Sequence, residues 1–112
     1  FALLADKPLK NIDDYLAAGR AMQRFWLTAT ELGLFIQPEM TPVIFTRYHR
    51  QELRFTQNEA ANQRVNCLNQ GLLKILVGHQ IDHLYFMGRL GTGPAPRARS
   101  TRRPLADLIQ SV

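Results

Sequence analysis

Residues 19–42 read GRAMQRFWLTATELGLFIQPEMTP, and this stretch decides the fold. Its apolar and small residues recur at steps of three and four, which places them on one face of a helix. From its first turn onward that face comprises Leu16, Gly19, Met22, Phe25, Trp26, Ala29 and Leu32. Gly33 is expected to end the helix in the left-handed conformation, and Pro38 and Pro42 exclude a long helix directly after it. The sequence therefore predicts one long helix followed by a proline-containing segment.

The residues before this helix carry the signals for its start. Asp13 is the predicted N-cap, and Asp14 is favourably placed at the positive end of the helix. Residues 1–12 are expected to form a connecting segment, because Pro8 stops any earlier helix. Trp26, a large aromatic at helical spacing, is expected to fill space in the core.

The rest of the chain predicts a second helix and two short strands. Val43–Phe45 is β-branched and aromatic, which favours a strand. Thr56 and Glu59 fit a capping box that opens a helix ending near Gly78. Its expected buried stripe is Val65, Leu68, Leu72, Leu73 and Leu76. Cys67, within this helix, is expected to be a buried and inert thiol.

The last third of the chain predicts a strand and a basic tail. HLYFMGRLG (residues 83–91) reads as a buried strand bounded by glycine. GTGPAPRARSTRRP (residues 91–104) is rich in glycine, proline and arginine and predicts an extended loop. Residues 104–112 are expected to add a short terminal helix. Together these elements predict a single α+β domain with two helices, short strands and an extended basic tail.

Composition places the chain among ordinary globular proteins. Of 112 residues, 46% are hydrophobic and 21% are charged, which is not the signature of disorder. No apolar run is long enough to span a bilayer, and the start lacks the layout of a signal peptide. One cysteine allows no intrachain disulfide, so a cytoplasmic location is the default expectation. The first residue is Phe, so either processing has occurred or the sequence begins inside a longer chain.

The net charge of +5 is unevenly distributed and indicates an anionic partner. One group of arginines comprises Arg97, Arg99, Arg102 and Arg103, and another comprises Arg47, Arg50 and Arg54. Alternate residues of an extended chain face alike, so Arg97 and Arg99 can direct two guanidinium groups at one phosphate. Composition alone favours a solvated basic tail instead. Nucleic acid is a third reading, but no aromatic residue is interleaved among these arginines to stack on bases.

Two other patterns have simpler explanations than a functional site. His79 and His83 are four residues apart, within reach of one metal on a helix, but no third ligand is evident and structural histidines are favoured. Gly88–Gly93 does not match G-x-G-x-x-G, and it precedes prolines rather than a helix, so a dinucleotide-binding turn is excluded.

Two segments of the chain, taken in order, resemble the closing half of the nitroreductase fold. The first is residues 19–42, with the form G-x-x-x-Q-R-x-W-L-x-A-x-x-L-G-L and then a proline-containing loop. The second is FMGRLGTGPAPRARSTRRPL (residues 86–105), with its R-L-G-x-G strand exit and Pro-Arg-x-Arg tail. The R-S-x-R-R-P-L ending is similar to the subgroup fused to, or encoded near, adenylating enzymes of the molybdopterin and thiamine type. The resemblance covers the chain from about Gly19 onward.

This resemblance implies an α+β fold that forms an obligate homodimer with FMN at the subunit interface. NADH or NADPH then reduces the flavin, and a small-molecule acceptor such as a nitroaromatic compound or a quinone reoxidises it. Carried onto this sequence, the resemblance places Arg97 and Arg99 at the FMN phosphate. It places the segment Gln37, Pro38, Glu39 and Met40 against the isoalloxazine, with backbone N–H groups near N5. Arg89 is a further candidate, with a salt bridge inside the dimer as the alternative.

The chain also departs from the family pattern, because nothing in it corresponds to the N-terminal half with its own phosphate contacts and strands. Residues 1–112 are therefore expected to be a partial nitroreductase-like domain that exposes apolar surface and binds FMN weakly or not at all by itself. Two other functions stay open. One is a catalytically degenerate domain that holds a ligand or acts as a scaffold, and the other is a small basic nucleic-acid-binding module.

Overall fold

The computed structural model describes residues 1–76, 78–94 and 97. Within them the chain forms strand β1 (Ala2–Leu4), helix α1 (Ile12–Glu31), strand β2 (Phe35–Pro38), helices α2 (Thr41–Arg50) and α3 (Glu59–Ile75), a 3₁₀ helix (Gly78–His83) and strand β3 (Leu84–Gly91). The strands form an antiparallel sheet in the order β1-β3-β2. The described part of the chain is therefore an α+β fold, as expected. The predicted terminal helix lies outside the described residues.

Helix α1 begins two residues earlier than an N-cap at Asp13 predicts. Asn11 is the N-cap, and its side chain accepts a hydrogen bond from the Asp14 N–H at 2.9 Å. The Asp14 carboxylate accepts in return from the Asn11 N–H at 3.4 Å. These reciprocal bonds form a capping box that satisfies donors at the helix start. At the other end Gly33 has φ of 71°, which confirms its predicted left-handed conformation.

Two local predictions about strands were wrong. Val43–Phe45 lies inside α2 rather than in a strand. Pro42 fits the first turn of that helix, where its missing N–H breaks no bond, and the Thr46 hydroxyl donates to the Pro42 carbonyl at 2.6 Å. Residues 1–12 were predicted to be a connecting segment, but they contain strand β1. β1 has only three residues, and its pairing with β3 holds it in place.

Helix α3 starts two residues later than an N-cap at Thr56 predicts. Asn58 is the N-cap, and its side chain accepts from the Ala61 N–H at 3.2 Å. Thr56 instead accepts from the Asn58 N–H, so Thr56 and Glu59 do not form a capping box. The helix ends at Ile75, and Gly78 begins the 3₁₀ helix that follows.

A small apolar core joins α2, α3, the 3₁₀ helix and β3. It consists of Val43, Leu72, Leu76, Ile81 and Leu84. Leu72 and Leu76 confirm part of the predicted stripe, but Leu73 is 40% exposed. Cys67 and Trp26 were expected to be buried, and both are exposed. Trp26 is 39% exposed, on a different side of α1 from the buried Ala18 and Ala29, so helical spacing alone did not imply its burial.

No helix among the residues that the structure describes is long and apolar enough to cross a membrane.

Candidate functional site

The two segments that carry the resemblance meet at one edge of the sheet. β2 pairs with β3 so that Gln37 lies opposite Arg89 and Pro38 lies opposite Gly88. Proline is compatible with this position because β2 is an edge strand, so the N–H that proline lacks is not needed for pairing with β3. The segment predicted to face a flavin and the strand that leads to the basic tail are therefore neighbours.

Glu39 and Arg89 form an ion pair at this edge. One Glu39 carboxylate oxygen lies 2.6 Å from a terminal guanidinium nitrogen of Arg89. From the sequence, Arg89 was a candidate either for a cofactor contact or for a salt bridge inside a dimer. The structure places a salt bridge within one chain, so the charge of Arg89 is already matched. Both side chains of the pair are exposed to solvent, so its contribution to stability is small.

The backbone donors of the Gln37–Met40 segment differ in what they contact. The Glu39 N–H donates to the Met87 carbonyl at 2.9 Å, so it belongs to the sheet and does not suit the predicted role near N5. Met40 is the N-cap of α2 and makes no side-chain capping bond. In the described part of the chain, no backbone carbonyl accepts from the Met40 N–H. Met40 is therefore the residue of this segment that offers a backbone donor.

Two shallow cavities flank this segment. One, of about 350 Å³, runs along the strand pair and is lined by Phe35, Ile36, Gln37, Arg89, Leu90, Gly91 and Thr92. The other, of about 190 Å³, lies beside Met40 and is lined by Met40, Val43, Ile44, Arg47, Tyr48 and Tyr85. Apolar surface next to a few polar groups is typical of small-molecule sites.

Tyr85 is a polar residue of this region that the sequence did not single out. Burial raises the pKa of its hydroxyl above the ordinary value of 10.0. The hydroxyl therefore stays protonated at neutral pH and is able to donate a hydrogen bond. Sequence reasoning missed Tyr85 because it lies within an apolar strand. The alternation of side chains along a strand does not show which of them faces a cavity.

The predicted phosphate contacts are described only in part. Arg97 is exposed, three residues after Pro94. Arg99 lies outside the described residues, as do Arg102 and Arg103. An exposed guanidinium is compatible with a phosphate contact, since Arg presents a planar fork of donors.

Three groups of the described residues are hydrogen-bond donors of the kind from which FMN accepts. Met40 offers a backbone N–H, Tyr85 a protonated hydroxyl, and Arg97 an exposed guanidinium. Each is a hydrogen-bond donor, as the electron-rich edge of a flavin and its phosphate require. Glu39 is the exception, because its N–H is bonded within the sheet and its carboxylate is paired with Arg89.

Metal ligation has no support among the described residues. They contain no group of three or more His, Cys, Asp or Glu side chains that would hold a metal ion. The Nδ1 atom of His83 lies 2.9 Å from the Ala5 carbonyl oxygen, which is a structural contact between the 3₁₀ helix and the segment after β1.

Helix α1 has two apolar faces, and only one of them is covered. Ala18 and Ala29 are buried on the covered face. The other face is exposed and carries Ile12, Leu16, Gly19, Trp26 and Leu27. A Cβ built on Gly19 would meet no atom within 4 Å. Helix α1 therefore presents an exposed apolar face with a glycine in its middle.

No family model, curated protein or solved structure matches this chain.

Proposed function

We propose that this chain is part of an FMN-dependent oxidoreductase of the nitroreductase type, which passes electrons from NADH or NADPH to a small-molecule acceptor. The observation that carries the proposal is the pairing of β2 with β3. It makes neighbours of the Gln37–Met40 segment and the strand that leads to Arg97. These are the two segments through which the sequence resembles the family.

In this proposal the chain binds and positions the cofactor, and FMN supplies the hydride chemistry when it is bound. The Met40 N–H is the backbone donor near the ring, in place of the Glu39 N–H. Arg97 and Arg99 contact the phosphate and contribute binding energy remote from the reacting ring. The backbone bond from the Glu39 N–H to the Met87 carbonyl at 2.9 Å holds the end of β2 on β3, and the exposed ion pair between Glu39 and Arg89 adds little to it.

The proposal includes a homodimer in which the exposed face of α1 packs on a second copy. That face is apolar along several turns, and exposed apolar patches of this kind are typical of protein interfaces. Gly19 allows the backbone of another helix to approach closely, because no side chain stands there. The second copy also completes the flavin site, so the choice of acceptor depends on surfaces that this chain does not supply alone.

The test is the visible absorption spectrum of the purified protein, together with any residues that precede Phe1. Flavin bands that bleach on addition of NADH or NADPH are the expected result. A colourless protein that also ignores added FMN would contradict the proposal and favour a scaffold domain.

A matched pair of variants separates this function from nucleic-acid binding. Arg97→Met is expected to weaken FMN binding about tenfold or more, through loss of a charge-assisted hydrogen bond. Arg102→Met removes the same charge and is expected to leave FMN binding unchanged. Equal weakening by both variants, with a steep loss of affinity for DNA or RNA as salt rises, would instead favour the nucleic-acid reading.

A further inference from the structure

A cleft lined by two arginines lies among α1, α2 and the 3₁₀ helix. Its volume is about 540 Å³, within the range of small-molecule sites. Its polar lining comes from α1, from α2 with its C-cap and from the 3₁₀ helix, and consists of Tyr15, Arg47, Arg50, Gln51 and Asp82. Pro8 and Leu9 complete the wall.

Arg50 is held rigidly in the wall of this cleft. Its guanidinium donates to Asp82 at 3.0 Å, to the Asn69 side chain at 3.3 Å and to the Ile81 carbonyl at 3.4 Å. The side chain is only 21% exposed. These contacts use three of the five N–H groups of Arg50, so two remain for a ligand, and Asp82 matches its charge.

Arg47 supplies the net positive charge. It stands one helical turn before Arg50 and donates to the Tyr15 hydroxyl at 3.4 Å and to the Leu84 carbonyl at 3.5 Å. No carboxylate among the described residues forms an ion pair with it. A guanidinium has more N–H donors than these two long contacts use. Arg47 is therefore a half-buried cation oriented by neutral groups.

We propose that this cleft binds the phosphate group of a small phosphorylated molecule. Two guanidinium groups one turn apart match the several acceptor oxygens of a phosphate, and a fork of donors contacts two oxygens at once. The size of the cleft favours a small molecule over a nucleic-acid strand. The cleft shares Arg47 with the 190 Å³ cavity beside Met40, but Arg97 does not line it.

The simpler explanation is that Arg47 and Arg50 only oppose the negative end of α2, where basic residues are favourable. That explanation accounts for the charge of Arg47 but predicts no saturable binding. Arg54 offers a matched comparison, since it is an exposed arginine a few residues beyond the helix and does not line the cleft.

The experiment is a calorimetric titration of the protein with inorganic pyrophosphate at fixed ionic strength, without added FMN, whose own phosphate would compete for the cleft. Saturable binding at one site is expected. Arg47→Met should weaken it about tenfold or more, whereas Arg54→Met should change it less than about twofold. Arg47→Lys keeps the charge but loses the fork, and an intermediate loss is expected. Arg97→Met is expected to leave pyrophosphate binding unchanged.

Several results would overturn the proposal. These are no saturable binding, equal weakening by Arg47→Met and Arg54→Met, or binding of malonate but not of pyrophosphate. If Arg47→Met fails to fold, as judged by circular dichroism, Arg47→Lys decides the question. Full-strength binding by a folded Arg47→Lys variant would then exclude the fork as the phosphate contact.

Discussion

Gly88 lies so close to the ring of Phe1 that a side chain at residue 88 has no room. A Cβ there would lie 2.9 Å from the Phe1 Cζ atom and 2.8 Å from the Gln37 carbonyl oxygen. The two residues also exchange backbone hydrogen bonds, from the Gly88 N–H at 3.1 Å and from the Phe1 nitrogen at 2.9 Å. All three strands of the sheet therefore meet at Gly88.

Gly88→Ala is expected to lower the free energy of unfolding by about 1–3 kcal/mol, because the added methyl group forces apart strands that are already in contact. Gly91→Ala lies on the same strand, where a built Cβ meets nothing within 4 Å. It should change stability by less than about 0.5 kcal/mol. Urea denaturation of the two variants measures the difference. Equal stabilities would mean that the Phe1 ring and β2 move aside without cost.

Arg50 is expected to be the arginine of α2 on which stability most depends. Arg50→Met removes the contacts to Asp82, Asn69 and Ile81, and Asn69 is only 6% exposed. Leaving its buried side chain without this donor should cost about 1–3 kcal/mol. Thermal and urea unfolding provide the measurement, and Arg54→Met is the control with the same change of charge. A loss of similar size in both variants would point to net charge rather than to the contacts of Arg50.

The start of α1 gives the fold a dependence on acid. The ammonium group of Lys7 lies 2.9 Å from the Asp14 carboxylate, and together with the N–H of Lys10 it holds the pKa of Asp14 below its ordinary value of 3.8. A carboxyl group whose pKa is lower in the folded state stabilises the fold above its unfolded pKa. That contribution is lost as the pH falls through the folded pKa.

Asp14→Asn should therefore lower the Tm at neutral pH and flatten its decline between about pH 5 and pH 2. Asp13→Asn is the matched control, because Asp13 lies in the same first turn but outside the capping box. It should leave the steepness of the acid decline unchanged. If both variants flattened the decline equally, general repulsion between charges would explain it better than the Asp14 contacts.

The sequence predicted correctly those elements that depend on interactions between residues close together in the chain. The spacing of Met22 and Ala29 predicts a helix face, and Gly33 has the conformation that its position predicted. The presence of β3 also followed from its own residues, but the expected burial was only partly confirmed, because Leu84 and Gly88 alone are buried among its eight residues. The α+β class was predictable from the same local patterns.

The sequence was insufficient where the deciding partner is distant or belongs to another element. β1 has three residues and gains its stability from β3, so nothing local marked it. Val43–Phe45 has strand propensity, but its packing against α3 and β3 selects a helix. In the candidate site, the pairing of Glu39 with Arg89 depends on the register of two strands, which residue type does not reveal. Trp26 was misassigned because helical spacing does not say which apolar face is covered.

The exposed face of α1 provides the sharpest test of the proposed homodimer. Leu27 is 58% exposed on that face, and Leu73 is 40% exposed on α3. Leu27→Glu should weaken self-association about tenfold or more, equivalent to at least ~1.4 kcal/mol, because it places an unpaired charge in an apolar interface. Leu73→Glu makes the same change outside that face and should leave self-association intact. Sedimentation equilibrium of both variants decides the matter. A dimer that tolerates Leu27→Glu but is lost in Leu73→Glu would move the interface from α1 to α3.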